Sequence, residues 1–364
     1  MGMKIATVIG ARPQFIKAAM FSRALEANGR VDEVLIHTGQ HFDRNMSQVF
    51  FDEMGLRSPD INLGISGGSH AEMTGRMLPA IEHVLMRERP QALLVYGDTN
   101  STLAGALAAA KLRIPVIHAE AGFRTHHLTN PEELNRICTD HISSILFAPI
   151  PAAMDELKRE GLGERAIFTG DLMYDAFVWC MPRASLLESA LIGLDGKPVS
   201  KPSRYYYLTC HRQENTNAEA LHEVLRAVAQ LDAPVIWPVH PRVESIIQVL
   251  SHEESMQNVL LVKPVGYLES LALLKGSVAV VTDSGGLQRE AFFAQKKCVT
   301  LLPFSSADET LQNGRNTLVS SMTAGNILAA LDVPQEIDPE YQPFGDGHAA
   351  EKMVCSTIEF LEER

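Results

Sequence analysis

No two of the five cysteines, Cys138, Cys180, Cys210, Cys298 and Cys355, form a Cys-x-x-Cys pair, and their number is odd. That pattern excludes a disulfide framework or a zinc knuckle and fits a reducing compartment. No window approaches about 18 uninterrupted apolar residues, so no membrane span is expected. The opening MGMKIATVIGARPQ enters a β-like run at once, without the basic segment, apolar stretch and small-residue cleavage site of a secretory leader; the cytoplasm is the expected location. Basic residues are in deficit too, 32 Lys and Arg against 44 Asp and Glu, a net charge of -12. Duplex nucleic acid is gripped by clustered cations and is not expected as a partner, whereas a small phosphate ester needs only one or two local cations and free backbone N–H groups. Low-complexity tracts are absent. So are His-x-x-Glu-His spacing and a carboxylate ladder, and no metal is expected.

What is present is a chain of 364 residues, 46% hydrophobic and 21% charged, long enough for two domains with a core each. Short apolar runs alternate with amphipathic stretches throughout: Lys4–Gly10, Val34–Thr38, Ala92–Tyr96, Val116–His118 and Ile145–Ala148, then Tyr205–Thr209, Val235–Val239, Val259–Val262, Val278–Thr282 and Val299–Leu302. Between them, segments such as Phe15–Ala27, Ser101–Leu112 and Leu287–Ala294 carry apolar residues at helical spacing. This rhythm predicts an α/β protein with parallel sheets in two Rossmann-like domains, and a cleft between them. The segment from Thr169 to Asp175 reads as the start of a new unit, which puts the hinge near residue 168. The expected domains are 1–168 together with 346–364, and 169–345.

Chemistry concentrates at the ends of the predicted strands, where ligands bind in doubly wound sheets. GARPQFIK turns from strand to helix and places Arg12 and Lys17 near the helix start, as anion partners or as a solvated face. TDSGGLQRE carries the strongest phosphate signal: Ser284, Gly285 and Gly286 allow close approach to free N–H groups, although Ser284 alone is also an ordinary N-cap. Glu290, one turn on, suits ribose hydroxyls. Carboxylates recur at strand ends and helix starts in the first half, with Asp98, Glu120, Glu132 and Glu133 available for proton transfer or, singly, for helix capping. His211 and His240 follow strands, beside Arg212 and Arg242, and line a cleft or serve as structural hydrogen-bonding residues.

Taken together, nine blocks in order resemble the UDP-N-acetylglucosamine 2-epimerase family: GARPQFIKAA, HTGQHFDRNM, GDTNSTLAGALAA, HAEAGFRT, PEELNR, TGDLMYDA, HRQENT, PVHPRV and TDSGGLQREAFF. The resemblance implies the GT-B architecture, a C-terminal helix returning to the first domain, a homodimer and no cofactor. The short stretch between Thr125 and Pro131, with TGDLMYDA, HPR and GYLE, is most similar to the branch acting on UDP-2,3-diacetamido-2,3-dideoxyglucuronic acid, which supplies a mannuronic-type sugar for surface polysaccharide such as lipopolysaccharide. Position by position it implies acid/base roles for Asp98, Glu120 and Glu132, and His211 with them. Substrate is expected on Arg12, Lys17, Arg124, Arg136, His240, Ser284, Gly285, Gly286 and Glu290. The implied reaction eliminates UDP across carbons 1 and 2 and adds it back after protonation on the other face. A hydrolysing epimerase, a GT-B glycosyltransferase and an inactive nucleotide-sugar binder are the alternatives. Related bacterial members also suggest an allosteric nucleotide-sugar site near Gln40, His41, Arg76 and His240. The chain departs from the family after Cys298, where Leu302, Ser305, Ser306 and Ala307 stand in place of the family's more basic, cleft-facing loop, and at Met73 and His126–His127.

Overall fold

A computed structural model describes residues 2–40, 54–186, 191–253, 258–305 and 307–364. The chain divides into two compact α/β units, Met1–Val178 with Gln342–Arg364, and Trp179–Tyr341. The first unit runs past the expected boundary at residue 168, and the physical reason is local. Ala166–Phe168 is the last strand of the first sheet, and Thr169–Asp175 is a turn followed by the start of the helix Leu172–Ala184, which carries the chain onward.

The first sheet contains β1 (Met3–Ile9), β2 (Val31–His37), β3 (Ile61–Asn62), β4 (Ala92–Tyr96), β5 (Val116–Ala119), β6 (Ile145–Ala148) and β7 (Ala166–Phe168). Every pairing is parallel, in the order β3-β2-β1-β4-β5-β6-β7. Strands covered on both faces must be apolar throughout, and Ile5, Ala6, Val8, Ile9, Leu93, Leu94 and Val95 are all fully buried. Just after β1 the chain needs glycine at Gly10, because a Cβ there would lie 2.0 Å from Ser101 Oγ on the helix Asn100–Lys111. The C-terminal helix Ala349–Glu362 belongs to this unit. It packs on the helix Arg12–Asn28 and buries Met353, Val354, Ile358 and Leu361.

In the second unit, a small antiparallel hairpin, β8 (Leu191–Ile192) and β9 (Pro198–Val199), precedes the sheet. The sheet itself has β10 (Tyr206–Thr209), β11 (Val235–Pro238), β12 (Val259–Val262), β13 (Ala279–Thr282), β14 (Lys297–Thr300) and β15 (Asn316–Leu318), all parallel, in the order β12-β11-β10-β13-β14-β15. Trp237, Val243, Ile247, Val281 and Val299 anchor its core with Leu221 and Val224 of the helix Ala218–Val228. Both sheets repeat one topology. The strand order reverses between β1 and β4 in one unit and between β10 and β13 in the other, and these switch points are where an open α/β sheet offers a ligand crevice.

Candidate functional site

At the first switch point, the turn after β1 and the turn after β4 are tied together by one buried side chain. Gln14 Oε1 accepts from the N–H groups of Gly10 and Ala11 at 2.8 and 3.0 Å, while its Nε2 donates to the Tyr96 carbonyl at 2.7 Å. The β4 turn then bears Asp98, and β5 ends in Glu120. Glu120 has φ 69, a left-handed conformation disfavoured for any residue but glycine, so the surrounding structure holds the side chain at a cost. Gly97 makes room for it: a Cβ on Gly97 would stand 3.0 Å from Glu120 Oε2.

Each carboxylate meets a cation. Lys17, buried on the helix Arg12–Asn28, pairs with Glu120, and Arg136 of the helix Pro131–Ile142 pairs with Asp98. Burial raises the Asp98 carboxyl above the ordinary aspartate range, Arg136 pulls it back, and the neighbouring Glu120 adds to the rise. Glu133 behaves in the opposite sense. Burial pushes it up, but the N–H groups of Thr125 and His126 together with Arg136 outweigh that and hold it below the usual range. Glu133 is thus a fixed anchor for the loop before the helix, with Thr125 N at 2.9 Å, while the half-exposed Glu132 stands beside it on the first turn. A small pocket is lined by Lys17, Glu120, Phe147, Thr169, Gly170 and Met353, among others.

Beneath these turns lies a charged network that inspection of the sequence does not reveal. His118 on β5 is fully buried, with Nδ1 2.6 Å from Asp140 Oδ1 and Nε2 2.7 Å from the Gly97 carbonyl. Arg124 lies 2.8 Å from Asp140 Oδ2 and grips Glu160 at 2.7 Å through two nitrogens. The Arg124 side chain, expected to hold substrate, is 1% exposed, and its guanidinium pairs with Asp140 and Glu160. Asp140 sits 22 residues beyond its partner, at no motif spacing that marks it in the sequence.

At the second switch point, Ser284 caps the helix Gly285–Phe293, accepting from Leu287 N at 3.4 Å. A Cβ on Gly286 would meet only Ser284 Oγ, at 3.8 Å, so packing does not require glycine there and the position is left open for an incoming group. Glu290 is buried on the same helix; burial pushes its carboxyl up to about 7, with the Tyr267 hydroxyl drawing it back down. The fully buried Asp283 organises the facing turn after β10. It accepts from His211 N at 2.9 Å and from Arg212 N at 2.8 Å, and it approaches His211 Nδ1 at 3.3 Å. His211 stacks on His240, ring centroids 5.5 Å apart, and Arg242 donates to the His211 carbonyl. Asp283 lies inside the TDSGG block, where its burial was the missing signal.

The remaining expectations divide. The Arg12 side chain and His41 lie outside the described residues, as does Ser306. Gln40 is held by Ser101, and Arg76 donates to the Ser66 carbonyl at 2.9 Å. Leu302 and Ala307, expected to face ligand, are instead 3% and 4% exposed and point into the core, while Ser305 donates to Gln288. Among the described residues no cluster of three or more His, Cys, Asp or Glu is arranged for a metal, and no helix is long and apolar enough to cross a membrane.

The chain is similar to known proteins along nearly its whole length. A family described as UDP-N-acetylglucosamine 2-epimerase matches residues 23–358. A UDP-2,3-diacetamido-2,3-dideoxy-D-glucuronate 2-epimerase of Pseudomonas aeruginosa is 43% identical over 97% of this chain and 98% of its own length. A UDP-N-acetylglucosamine 2-epimerase of Methanocaldococcus jannaschii is 38% identical over 97% of this chain and 98% of its own. The crystal structure of a Methanocaldococcus jannaschii UDP-GlcNAc 2-epimerase in complex with UDP-GlcNAc and UDP superposes with a TM-score of 0.82 at 36% identity, covering 98% of this chain and 100% of that one. The two Rossmann-like units are therefore those of the GT-B class.

Proposed function

The chain belongs to the UDP-N-acetylglucosamine 2-epimerase family, and from that premise we propose that it is a non-hydrolysing epimerase inverting carbon 2 of a UDP-linked acetamido sugar. The observation that carries the reading is the pair Asp98 and Glu120 at the first switch point, each set against its own cation. The proton on carbon 2 is not acidic, so a base alone cannot invert that centre. If the C1–O bond breaks as the proton leaves, the C2–H electrons form a C1=C2 double bond and UDP departs with the C1–O pair. Protonation of carbon 2 on the opposite face, with UDP oxygen returning to carbon 1, completes the inversion. Acid/base groups are then needed for both faces, and Asp98, Glu120, Glu132 and His211 are assigned to that work. The raised Asp98 carboxyl suits a group that must both take and return a proton.

Lys17, Arg136 and Arg12 are assigned to the substrate's charges, and Ser284, Gly285 and Gly286 to the diphosphate, through the N–H groups of a helix start. Glu290 is assigned to the ribose and His240 to the substrate beside His211. The 43% identical relative favours a UDP-diacetamido-uronic acid, with UDP-GlcNAc as the second candidate. As the family resemblance implies, the reading extends to a cytoplasmic homodimer supplying surface polysaccharide. Incubation with both sugars in deuterated water should place deuterium on carbon 2 without stoichiometric UDP release. Deuterium on neither sugar would sink the proposal, and accumulation of UDP would replace it with hydrolytic epimerisation.

A further inference from the structure

The geometry points to His118 as a positioning residue: an imidazolium bridging the Asp140 carboxylate and the Gly97 carbonyl, which holds the turns bearing Asp98 and Glu120 in fixed relation. Both ring nitrogens of His118 face oxygens, at 2.6 Å and 2.7 Å. The carbonyl has no proton to give. On its other side the Asp140 carboxylate faces the Arg124 guanidinium at 2.8 Å, a charge that favours the ionised form. Each contact is a hydrogen bond only if that nitrogen carries a proton. A neutral ring would satisfy one oxygen and set a lone pair against the other, in a fully buried place where water cannot help.

The charges around the ring fit this state. Asp140 also accepts from Gly122 N at 3.1 Å and faces Arg124, whose other side is taken by Glu160, and His141 approaches Glu160 at 3.2 Å. Two carboxylates thus lie among the cations His118 and Arg124, with no buried charge left alone. The consequence falls on the adjoining turns. The Gly97 N–H donates to the Ala119 carbonyl at 3.0 Å while its own carbonyl accepts from His118, so β5 grips both ends of one residue. Asp98 is the next residue after Gly97, and Glu120 the next after Ala119. One strand therefore sets the spacing of both groups, and a misplacement of about 1 Å in such an arrangement can cost about 10²-fold in rate.

The activity readout rests on the epimerase reading, so the wild-type chain is measured first. Histidine ring ¹⁵N spectra of the full-length protein near neutral pH should show one residue with two protonated nitrogens whose N–H protons exchange slowly with solvent, and His118→Gln should delete that signal. An unprotonated nitrogen on His118 overturns the bridge. In kinetics, His118→Gln and Asp140→Asn should each lower kcat for carbon-2 exchange about 100-fold, with KM and UDP affinity within about 3-fold of wild type. Unchanged kcat in both variants, or a loss of UDP affinity in step with kcat, overturns the positioning role. Absence of exchange in the wild type would refute the epimerase reading alone, because the ring spectrum still decides the bridge. A His118→Gln variant that does not fold leaves the wild-type spectrum and Asp140→Asn to decide it.

Discussion

At the scale of single residues, the two switch points are built on opposite electrostatic plans. Asp98 and Glu120 are matched with Arg136 and Lys17, whereas Glu290 is buried with a hydroxyl for company. Burial raises the folded-state pKa of Glu290 from 4.5 to about 7, so between those values the folded protein binds a proton that the unfolded chain has released. Stability from this group is therefore greatest below the unfolded value and declines as pH rises toward about 7, by on the order of 3 kcal/mol. Urea unfolding at about pH 5 and about pH 8 should show a decline, and Glu290→Gln should make it smaller by Glu290's share. Ribose hydroxyls donating to Glu290 would favour the carboxylate, so UDP binding should release a proton near neutrality; calorimetry in buffers of different ionisation heat measures it. Gly286→Ala tests the phosphate loop by a different physics. The site is open on the protein side, so stability should change by less than about 1 kcal/mol while UDP affinity falls at least about 10-fold.

At the scale of elements, strands were legible because buried parallel strands are continuous apolar runs, and those runs reappear in β1, β4, β5, β10, β11 and β13. Helix ends were less so. The helix Leu172–Ala184 contains Pro182, and its start reads as a strand because only three residues separate Leu172 and Met173 from the apolar run Ala166–Phe168. Its position matters through Asp175, whose carboxylate accepts from Ala349 and Ala350 N–H at 3.0 and 2.7 Å and so caps the C-terminal helix from another element. Burial raises Asp175 to about 6, against the pull of those two N–H groups. Asp175→Ala should cost about 1–2 kcal/mol in urea unfolding, as loss of a helix cap does, and Asp175→Asn, which keeps one acceptor oxygen, should cost less.

At the scale of the whole molecule, Asp98 and Glu120, assigned to proton transfer, and the Ser284–Gly286 loop, assigned to the diphosphate, belong to different compact units, so their contributions should separate on mutation. Asp98→Asn and Glu120→Gln should each reduce carbon-2 deuterium exchange by about 10²-fold or more while leaving UDP affinity within about 3-fold, read by calorimetry on the same preparations. Loss of UDP affinity in the carboxylate variants would contradict that division of labour.

The amino-acid sequence by itself determined the fold class, the repeated strand–helix rhythm and the positions of Asp98, Glu120, Ser284 and Glu290, because each follows from a local rule: apolar periodicity, or residue type at a strand end. Only the tertiary structure decided which charged groups are framework. Arg124 and Glu133 look no different in sequence from Arg136 and Glu132, yet the side chains of the first two are each 1% exposed while Arg136 stays partly open. His118–Asp140 and Asp283–His211 join residues 22 and 72 positions apart. Burial and pairing are properties of distance in space, and no spacing along the chain encodes them.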